Sequence, residues 1–413
     1  MVFSRIRVLC AALAATLMVS LAYAQPAPGD LVEVVPTGTV SAADVRAEAS
    51  LLFETLPTPR IDYAVDTFLV RYLTTDFDGS LTEIRAQLFI PQTPVPRDFP
   101  LHVFGSGTTG IADVCAPSLE QPLQRRWGFY RANMMAYAAR GFVTMFPDYL
   151  GFHNPERSQP YFSAVAESRV MLDAIRASFN FFEQHGADYA PLHSLSDHVF
   201  TSGYSQGGHA AFAAADAHSS YAPEVPLSGA ISFGGTANVE TLMREGPYYS
   251  PYIAYAYTQI YGEEAFPLAD IFQDRWLATL ERDVMAMCVD QFQNYFPFDG
   301  RQLYRPAFFD ALHSGRLAEE FPSIHAILRE NYAGISGHGI PGLVVHGEQD
   351  IIITTPEQTR WVRDLCETGS AIRYIRHPGI RHRMTRQAGF EDSIVWMEAI
   401  MAGEMPSDCL NLP

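Results

Sequence analysis

The chain has 413 residues, of which 48% are apolar, and its formal net charge at pH 7 is −18. This length exceeds that of one usual domain and is sufficient to bury a large core. The acidic balance argues against a nucleic-acid partner and against electrostatic docking onto anionic membranes, both of which require a basic face. Solubility of an exported protein is a sufficient reason for such a charge.

Residues 1–24 predict a secretory signal peptide. Arg5 and Arg7 form a basic start, an apolar run follows, and Ala22 and Ala24 fit a small-x-small cleavage site. The apolar run is short for a membrane span, which makes an uncleaved anchor the less favoured alternative, and no later stretch suggests an integral span. We expect cleavage near Ala24 and a secreted or periplasmic protein. Removing this segment takes away two arginines and no acid, so the net charge becomes −20.

Residues 25–64 are predicted to be an N-terminal extension on the domain surface. Prolines interrupt this segment, and only residues 41–56 show a helix-like pattern. Two β-rich runs follow on either side of Asp78 and Gly79, which is typical of an antiparallel hairpin. Together with Asp76 this turn is faintly similar to a calcium-binding loop, but the spaced terminal glutamate is absent and a simple turn is favoured.

From residue 100 onward, short apolar strands alternate with helices. Strands are predicted at residues 100–105, 142–151, 198–205, 226–235, 342–350 and 371–379, and helices at 123–141, 162–186, 206–218, 356–366 and 390–403. This alternation predicts an α/β fold whose mainly parallel central sheet carries helices on both faces. The second of these helices is expected to bury an apolar stripe at helical spacing. The stripe consists of Val165, Leu172, Ile175, Phe179 and Phe182.

The alternation stops between residues 238 and 337. This stretch is helix-like and rich in aromatic residues, and about a hundred residues are too many for an ordinary loop. We predict a helical cap, or lid, inserted before the strand that carries the catalytic acid. The predicted core then consists of residues 65–237 and 338–413, the latter including a C-terminal tail.

Ser205 is the candidate nucleophile. It lies between Gly203 and Gly207, where a predicted strand turns into a predicted helix. Glycines allow neighbouring backbone to pass close to a strained serine, and the helix N-terminus favours developing negative charge. A packing turn is the alternative interpretation, but the flanking strand and helix favour a nucleophile elbow.

A serine nucleophile needs a histidine base and an acid that orients it. In a fold with a nucleophile elbow, the acid and then the histidine follow the serine along the chain, each after a strand. Asp350 opens the loop after its strand and is favoured over Glu348, which lies nearer the strand end. His382 lies on a loop beyond a Pro-Gly turn and is favoured over His377, which is expected to have a structural role within or beside its strand.

Two backbone N–H groups are needed to stabilise the tetrahedral oxyanion. We predict those of Gln206, the residue after the nucleophile, and Thr108, in the glycine-rich loop at residues 105–110; Thr109 is the near alternative. The same loop lacks the Gly-Lys-Ser/Thr ending of a phosphate-binding loop. The reaction requires no cofactor and no metal.

Several motifs together resemble the secretory lipase family. They are "GYSQGG", "GTTG" followed by "CAPS", "FPDYLGF", "HGEQD" and "HPGIRHR". The family contains fungal extracellular lipases related to Candida antarctica lipase A, and the resemblance implies an α/β-hydrolase fold, a helical cap and hydrolysis of lipid carboxylic esters. Carried over by motif, it implies the triad Ser205, Asp350 and His382, with Thr108 and Gln206 as oxyanion donors. One departure is Ser106, where many relatives have histidine.

Four cysteines follow the predicted signal peptide: Cys115, Cys288, Cys366 and Cys409. An even number in an exported chain indicates two disulfides, with three possible connectivities, and the spacing is wrong for a zinc site. We expect Cys115–Cys288, which would tie the cap to the loop after the oxyanion segment, and Cys366–Cys409, which would hold the tail. The family resemblance implies the same pairing.

The sequence therefore predicts a secreted serine lipase or carboxylesterase that acts on a small-molecule or lipid ester. A lipid–water interface is one place where it would meet such a substrate. A serine peptidase or amidase on the same fold is one alternative. The aromatic cap suits acyl chains or aromatic esters better than a peptide terminus. A catalytically inactive binding protein is a second alternative, against which the complete set of Ser205, Asp350 and His382 argues.

Overall fold

The structure is a computed structural model that describes residues 25–191 and 193–412; the predicted signal peptide lies outside the described residues. A nine-stranded sheet has the order β1-β2-β3-β5-β4-β6-β7-β8-β9. The strands are β1 Leu31–Val40, β2 Val65–Thr75, β3 Leu81–Pro91, β4 Arg97–Gly105, β5 Val143–Pro147, β6 His193–Tyr204, β7 Leu227–Phe233, β8 Gly342–Gly347 and β9 Ile372–His377. The pairs from β5 through β9 are parallel, and those among β1, β2, β3 and β5 are antiparallel. The predicted mainly parallel sheet is confirmed.

Helices cover both faces of this sheet, and further helices lie in the segment between β7 and β8. They are α1 Ala42–Phe53, α2 Tyr130–Ala138, α3 Ala164–Tyr189, α4 Gln206–Tyr221, α5 Val239–Glu245, α6 Ser250–Tyr261, α7 Leu268–Ile271, α8 Asp274–Leu277, α9 Leu280–Ala286, α10 Val289–Phe292, α11 Pro306–Ser314, α12 Leu317–Glu320, α13 Pro322–Glu330, α14 Thr355–Glu367, α15 Thr385–Ala388 and α16 Phe390–Met401. On one face Phe390 of α16 contacts Phe53 of α1 and Tyr137 of α2. On the other, α4 packs against α3, and its Phe212 contacts Trp361 of α14.

The segment expected to be a surface extension contributes an edge strand. Strand β1 pairs antiparallel with β2, with register shifts between Leu31 and Glu33 and between Pro36 and Gly38. An edge position accommodates Pro36, which has no N–H to donate. Exposed and half-buried residues do not alternate regularly along β1, which explains why the sequence pattern did not indicate a strand.

Helix α2 begins later than the sequence pattern predicts, at Tyr130 rather than at residue 123. The Glu120 carboxylate accepts hydrogen bonds from the backbone N–H groups of Gly128, Phe129 and Tyr130 at 2.5–2.8 Å. It thereby satisfies donors at the helix start that have no intrahelical partner. This N-terminus depends on a distant acid, so local periodicity could not locate it.

The buried face of α3 is wider than the predicted stripe. Leu172 and Ile175 are fully buried as predicted, but Val165 is exposed. The helix packs against the sheet and also against α4, so its buried face includes the carboxylates of Glu167 and Asp173. Asp173 accepts hydrogen bonds from Thr74, Arg176 and Tyr221, which provide the partners that a buried carboxylate requires.

The predicted hairpin is formed by β2 and β3. Asp78 Oδ1 accepts hydrogen bonds from the N–H and hydroxyl of Ser80, while Asp76 forms an ion pair with Arg157 at 2.6 Å. These contacts make an ordinary turn. Within the described part of the chain, none of the helices is both long and apolar enough to span a membrane.

Candidate active site

Ser205 occupies a sharp turn between β6 and α4. Its φ and ψ angles are 54° and −112°, a region that residues other than glycine rarely adopt. A Cβ atom on Gly203 would lie 2.2 Å from the Gly207 carbonyl carbon, and one on Gly207 would lie 1.9 Å from the Gly105 carbonyl oxygen. Only glycine fits at these two positions, which gives the sequence pattern around Ser205 its physical reason.

The structure brings Ser205, His382 and Asp350 into one hydrogen-bonded chain. The distance from His382 Nε2 to Ser205 Oγ is 3.0 Å, and that from His382 Nδ1 to Asp350 Oδ2 is 2.6 Å. An ionised Asp350 can only accept, so Nδ1 is the donor and Nε2 of the neutral ring accepts from the serine hydroxyl. The three residues are between 6% and 7% exposed, so the cleft reaches them while bulk water is largely excluded.

Asp350 is held in its ionised form. Burial by itself would raise the pKa of its carboxyl, but the His382 imidazole, its hydrogen bond and the Ile352 N–H outweigh burial and hold that pKa below its ordinary value. The N–H groups of Ile352 and Ile353 donate to Oδ1 at 2.8 and 3.1 Å, leaving Oδ2 for the histidine. Burial lowers the pKa of the nearby His346 to about 4, so this second histidine stays neutral near pH 7.

The two rejected alternatives lie close by but have other partners. His377 is the last residue of β9, and its Nε2 lies 2.9 Å from Asp392 Oδ2. Glu348 lies at the cleft, where its carboxylate is 3.7 Å from Arg376 Nε. Neither contacts Ser205 or His382.

Two tyrosines anchor the loop that carries Thr108. The Gly107 N–H donates to the Tyr130 hydroxyl at 2.9 Å, and the Thr108 hydroxyl is 2.6 Å from that of Tyr161. The neighbouring Thr109 carbonyl accepts from the Val289 N–H at 2.8 Å, which joins this loop to the segment between β7 and β8. Gln206 is the first residue of α4, so its backbone N–H has no intrahelical acceptor.

A buried network behind the elbow was not predicted from the sequence. The Glu167 carboxylate accepts from the Gln206 side-chain amide at 2.7 Å and is 2.6 Å from His209 Nδ1. His209 Nε2 donates in turn to the Asn331 carbonyl at 2.9 Å. The sequence signal that could have indicated this network is Glu167 itself, a glutamate that falls in phase with the buried residues of the amphipathic helix α3. His209 itself lies within α4 and is fully buried.

An open cleft of about 950 Å³ lies over the three residues. Its walls combine aromatic and charged side chains from the core and from the segment between β7 and β8. The aromatic residues that line it are Trp127, Tyr130, Tyr204, Tyr248, Tyr249 and Phe298. In residues 25–191 and 193–412, no three His, Cys, Asp or Glu side chains are grouped so as to hold a metal ion.

Both disulfides have the expected pairing. Cys115 is bonded to Cys288 and Cys366 to Cys409, each with an S–S length of 2.02 Å. The first bond links the region after the Thr108 loop to α10, and the second links the end of α14 to the C-terminal tail.

The sequence profile of the secretory lipase family matches residues 131–409, which is more than half of the chain. This chain belongs to the secretory lipase family. A relative named lipase A, from Moesziomyces aphidis, is 24% identical over 373 residues, which cover 84% of this chain and 74% of the relative.

Two solved structures of lipases and esterases share the fold. The rice cell wall degrading esterase LipA from Xanthomonas oryzae superposes with a TM-score of 0.71 at 18% identity, covering 91% of this chain and 97% of LipA. Candida antarctica lipase A in its closed state gives a TM-score of 0.64 at 19% identity, covering 92% and 84%. The secretory lipase described here thus has an α/β-hydrolase fold, and its family is one of lipase and esterase hydrolases.

Proposed function

We propose that this secretory lipase is an exported serine hydrolase that cleaves carboxylic esters of lipids through an acyl-enzyme on Ser205. The hydrogen-bonded chain from Asp350 through His382 to Ser205 carries the proposal. Its setting adds support, because the strained serine lies at the N-terminus of a sixteen-residue helix whose dipole favours negative charge.

The proposed reaction has two halves. Ser205 Oγ attacks the ester carbonyl while His382 Nε2 takes the hydroxyl proton; the carbon–oxygen bond to the alcohol then breaks, and His382 returns the proton to the departing alcohol. A water molecule repeats the sequence on the acyl-enzyme, and Ser205 recovers its proton as the acid leaves. Asp350 stays ionised throughout and stabilises the imidazolium.

We assign stabilisation of the oxyanion to the backbone N–H groups of Thr108 and Gln206. Thr108 is supported by its position at the cleft and by the tyrosines that anchor its loop. Gln206 is supported by its place as first residue of α4, where Glu167 holds its side chain. Preorganised donors of this kind typically contribute about 10²–10³ in rate.

Export is supported by the signal-like residues 1–24 and by two disulfides, which persist in oxidising compartments. The predicted cleavage near Ala24 lies outside the described residues. The protein would therefore act in the periplasm or outside the cell. Its cleft has many aromatic side chains, which suit acyl or aromatic esters and contact with a lipid–water interface.

Replacing the nucleophile tests this function. Ser205→Ala and His382→Ala should each lower kcat for p-nitrophenyl butyrate by about 10³–10⁶, and Ser205→Ala should do so without changing the thermal unfolding temperature appreciably. His377→Ala is the control and should lower stability more than rate. A fluorophosphonate should label wild type but not Ser205→Ala. Substantial turnover by the pure serine variant, or cleavage of aminoacyl anilides in preference to esters, would overturn the proposal.

We also propose that residues 238–337 act as a cap that governs acyl-chain selectivity. Tyr248, Tyr249, Val289 and Phe298 contribute to the cleft from this insertion. Phe298 is 64% exposed, and its ring centroid lies 4.6 Å from that of Tyr248. It therefore offers apolar surface that a long acyl chain could cover.

Phe298→Ala should lower kcat/KM for p-nitrophenyl laurate by about tenfold and for the acetate by less than twofold, because only the long chain reaches this surface. Tyr295→Ala is the matched control, since Tyr295 is an exposed aromatic residue of the same insertion that does not line the cleft. An equal effect on both esters would contradict the selectivity role.

A further inference from the structure

Three arginines at the mouth of the cleft have no carboxylate partner. Arg381 and Arg383 flank His382 in the sequence, Arg126 lies opposite on the segment before α2, and all three are exposed and line the cleft. Among the salt bridges of residues 25–191 and 193–412, none involves these three side chains. Arg383 Nη2 donates instead to the Arg126 carbonyl at 3.4 Å, which keeps two of them close together.

The acidic residues of the cleft do not offset this charge. Besides Asp350, the lining includes Asp290 and Glu348. Asp290 is paired with Arg125 at 3.2 Å, and Glu348 with Arg376 at 3.7 Å. Each of these carboxylates is thus balanced by its own arginine. Only the ionised Asp350 remains against the three unpaired guanidinium groups, so the mouth keeps an excess of positive charge.

This excess is unusual in a chain of net charge −18. Grouped like charges repel, and none of these three arginines forms an ion pair with a carboxylate among the described residues. All 28 basic residues of the chain are arginines, whose planar guanidinium groups bind carboxylates and phosphates with two parallel hydrogen bonds. A cleft with an excess of one sign of charge also concentrates ligands of the opposite sign.

The position beside His382 indicates which part of the substrate the arginines meet. In the proposed reaction His382 Nε2 gives its proton to the departing alcohol, so the alcohol part must lie next to this residue. Arg381 and Arg383 are its immediate neighbours in the chain. Resting on the proposed esterase function, we propose that these arginines form a subsite for an anionic group, such as a carboxylate, on the alcohol part of the substrate.

Matched soluble esters test this subsite. 4-Butanoyloxybenzoate releases an alcohol that carries a carboxylate, and its methyl ester releases a neutral one. At low salt, wild type should favour the anionic ester by about tenfold in kcat/KM, and 0.5 M NaCl should remove most of the preference. Arg126→Gln, Arg381→Gln and Arg383→Gln should each reduce the preference about two- to fivefold, and the triple variant should abolish it. Arg275→Gln is the control, an exposed arginine away from the cleft.

The remaining outcomes separate this inference from the function on which it rests. Hydrolysis of the neutral ester with no arginine dependence for the anionic one would overturn the subsite alone. An arginine effect confined to mono-4-nitrophenyl glutarate, whose anion is on the acyl side, or one seen only with anionic vesicles, would also overturn it. If wild type cleaves neither ester, the proposed function fails. Calorimetry of 4-hydroxybenzoate binding then decides the subsite by itself: the subsite requires that 4-hydroxybenzoate binds to Ser205→Ala and does not bind to the triple arginine variant.

Discussion

The backbone of Ser205 carries strain that its surroundings maintain. A non-glycine residue in such a conformation costs about 1–3 kcal/mol. The Ser205 N–H donates to the Phe233 carbonyl at 3.0 Å, and its own carbonyl accepts from Gly208 at 3.0 Å and Thr236 at 3.3 Å. These contacts fix the turn between β6 and α4 against the end of β7, so the hydroxyl is presented to the cleft at the end of the sheet rather than packed within it.

Asp350 should show its role through pH. Its folded-state pKa lies below the ordinary value of about 3.9, so its contribution to stability is present above that pH and is lost as pH falls through the lower folded value. We expect Asp350→Asn to be less stable than wild type at pH 7, with the difference narrowing toward pH 2–3 in urea unfolding. Its kcat should fall by about 10⁴.

Glu348→Gln is the matched control for this carboxylate. Glu348 lies on the same loop as Asp350 and pairs at the surface with Arg376 of β9, so its replacement should change kcat less than twofold. A larger loss of activity in Glu348→Gln than in Asp350→Asn would assign the orienting role to the wrong acid.

The candidate residues could be selected from the sequence because each follows a recognisable strand. Ser205, Asp350 and His382 lie beyond the carboxyl ends of β6, β8 and β9, and a parallel sheet brings such ends to one edge. The contacts of Glu167 could not be selected in this way. Its side-chain partners Gln206 and His209 are 39 and 42 positions away, and only the packing of α3 on α4 brings them together.

At the scale of elements, the buried strands were predictable and the edge strand β1 was not. Strands such as β6 and β8 end in uninterrupted buried residues, so their apolar runs are visible in the sequence. Strand β1 has hydrogen-bonded neighbours on one side and mostly exposed side chains, so pairing with β2 rather than composition defines it. The start of α2 was likewise not predictable from local composition, because it depends on the carboxylate of Glu120.

The junction of α3 and α4 depends on the buried Glu167 carboxylate. Glu167→Ala would leave His209 and the Gln206 amide without this partner in a buried site, so the free energy of unfolding should fall by about 3–5 kcal/mol. Glu183→Ala on the same helix removes an exposed carboxylate and should change it by less than about 0.5 kcal/mol. Chemical denaturation of both variants measures the difference; similar stabilities would show that the network contributes little.

At the scale of the whole molecule, two kinds of connection join the insertion between β7 and β8 to the core. One is the Cys115–Cys288 disulfide, and the other is the adjacent hydrogen bond from Val289 N–H to the Thr109 carbonyl. Both lie beside the loop that carries Thr108. The fold therefore couples the position of the insertion to the position of a proposed oxyanion donor, which no single motif of the sequence specifies.

Removing each disulfide in turn should separate stability from activity. The Cys115–Cys288 bond closes 173 positions and the Cys366–Cys409 bond 43, for which chain entropy gives about 5 and 4 kcal/mol before strain. Cys115→Ala/Cys288→Ala should therefore be the less stable double variant in denaturant unfolding. It should also lower kcat for p-nitrophenyl acetate at 25 °C, because the Thr108 loop loses its covalent support. Cys366→Ala/Cys409→Ala is the control, since it frees only the tail and should keep its kcat within twofold. Equal losses of kcat in the two variants would contradict a specific coupling between the insertion and the oxyanion loop.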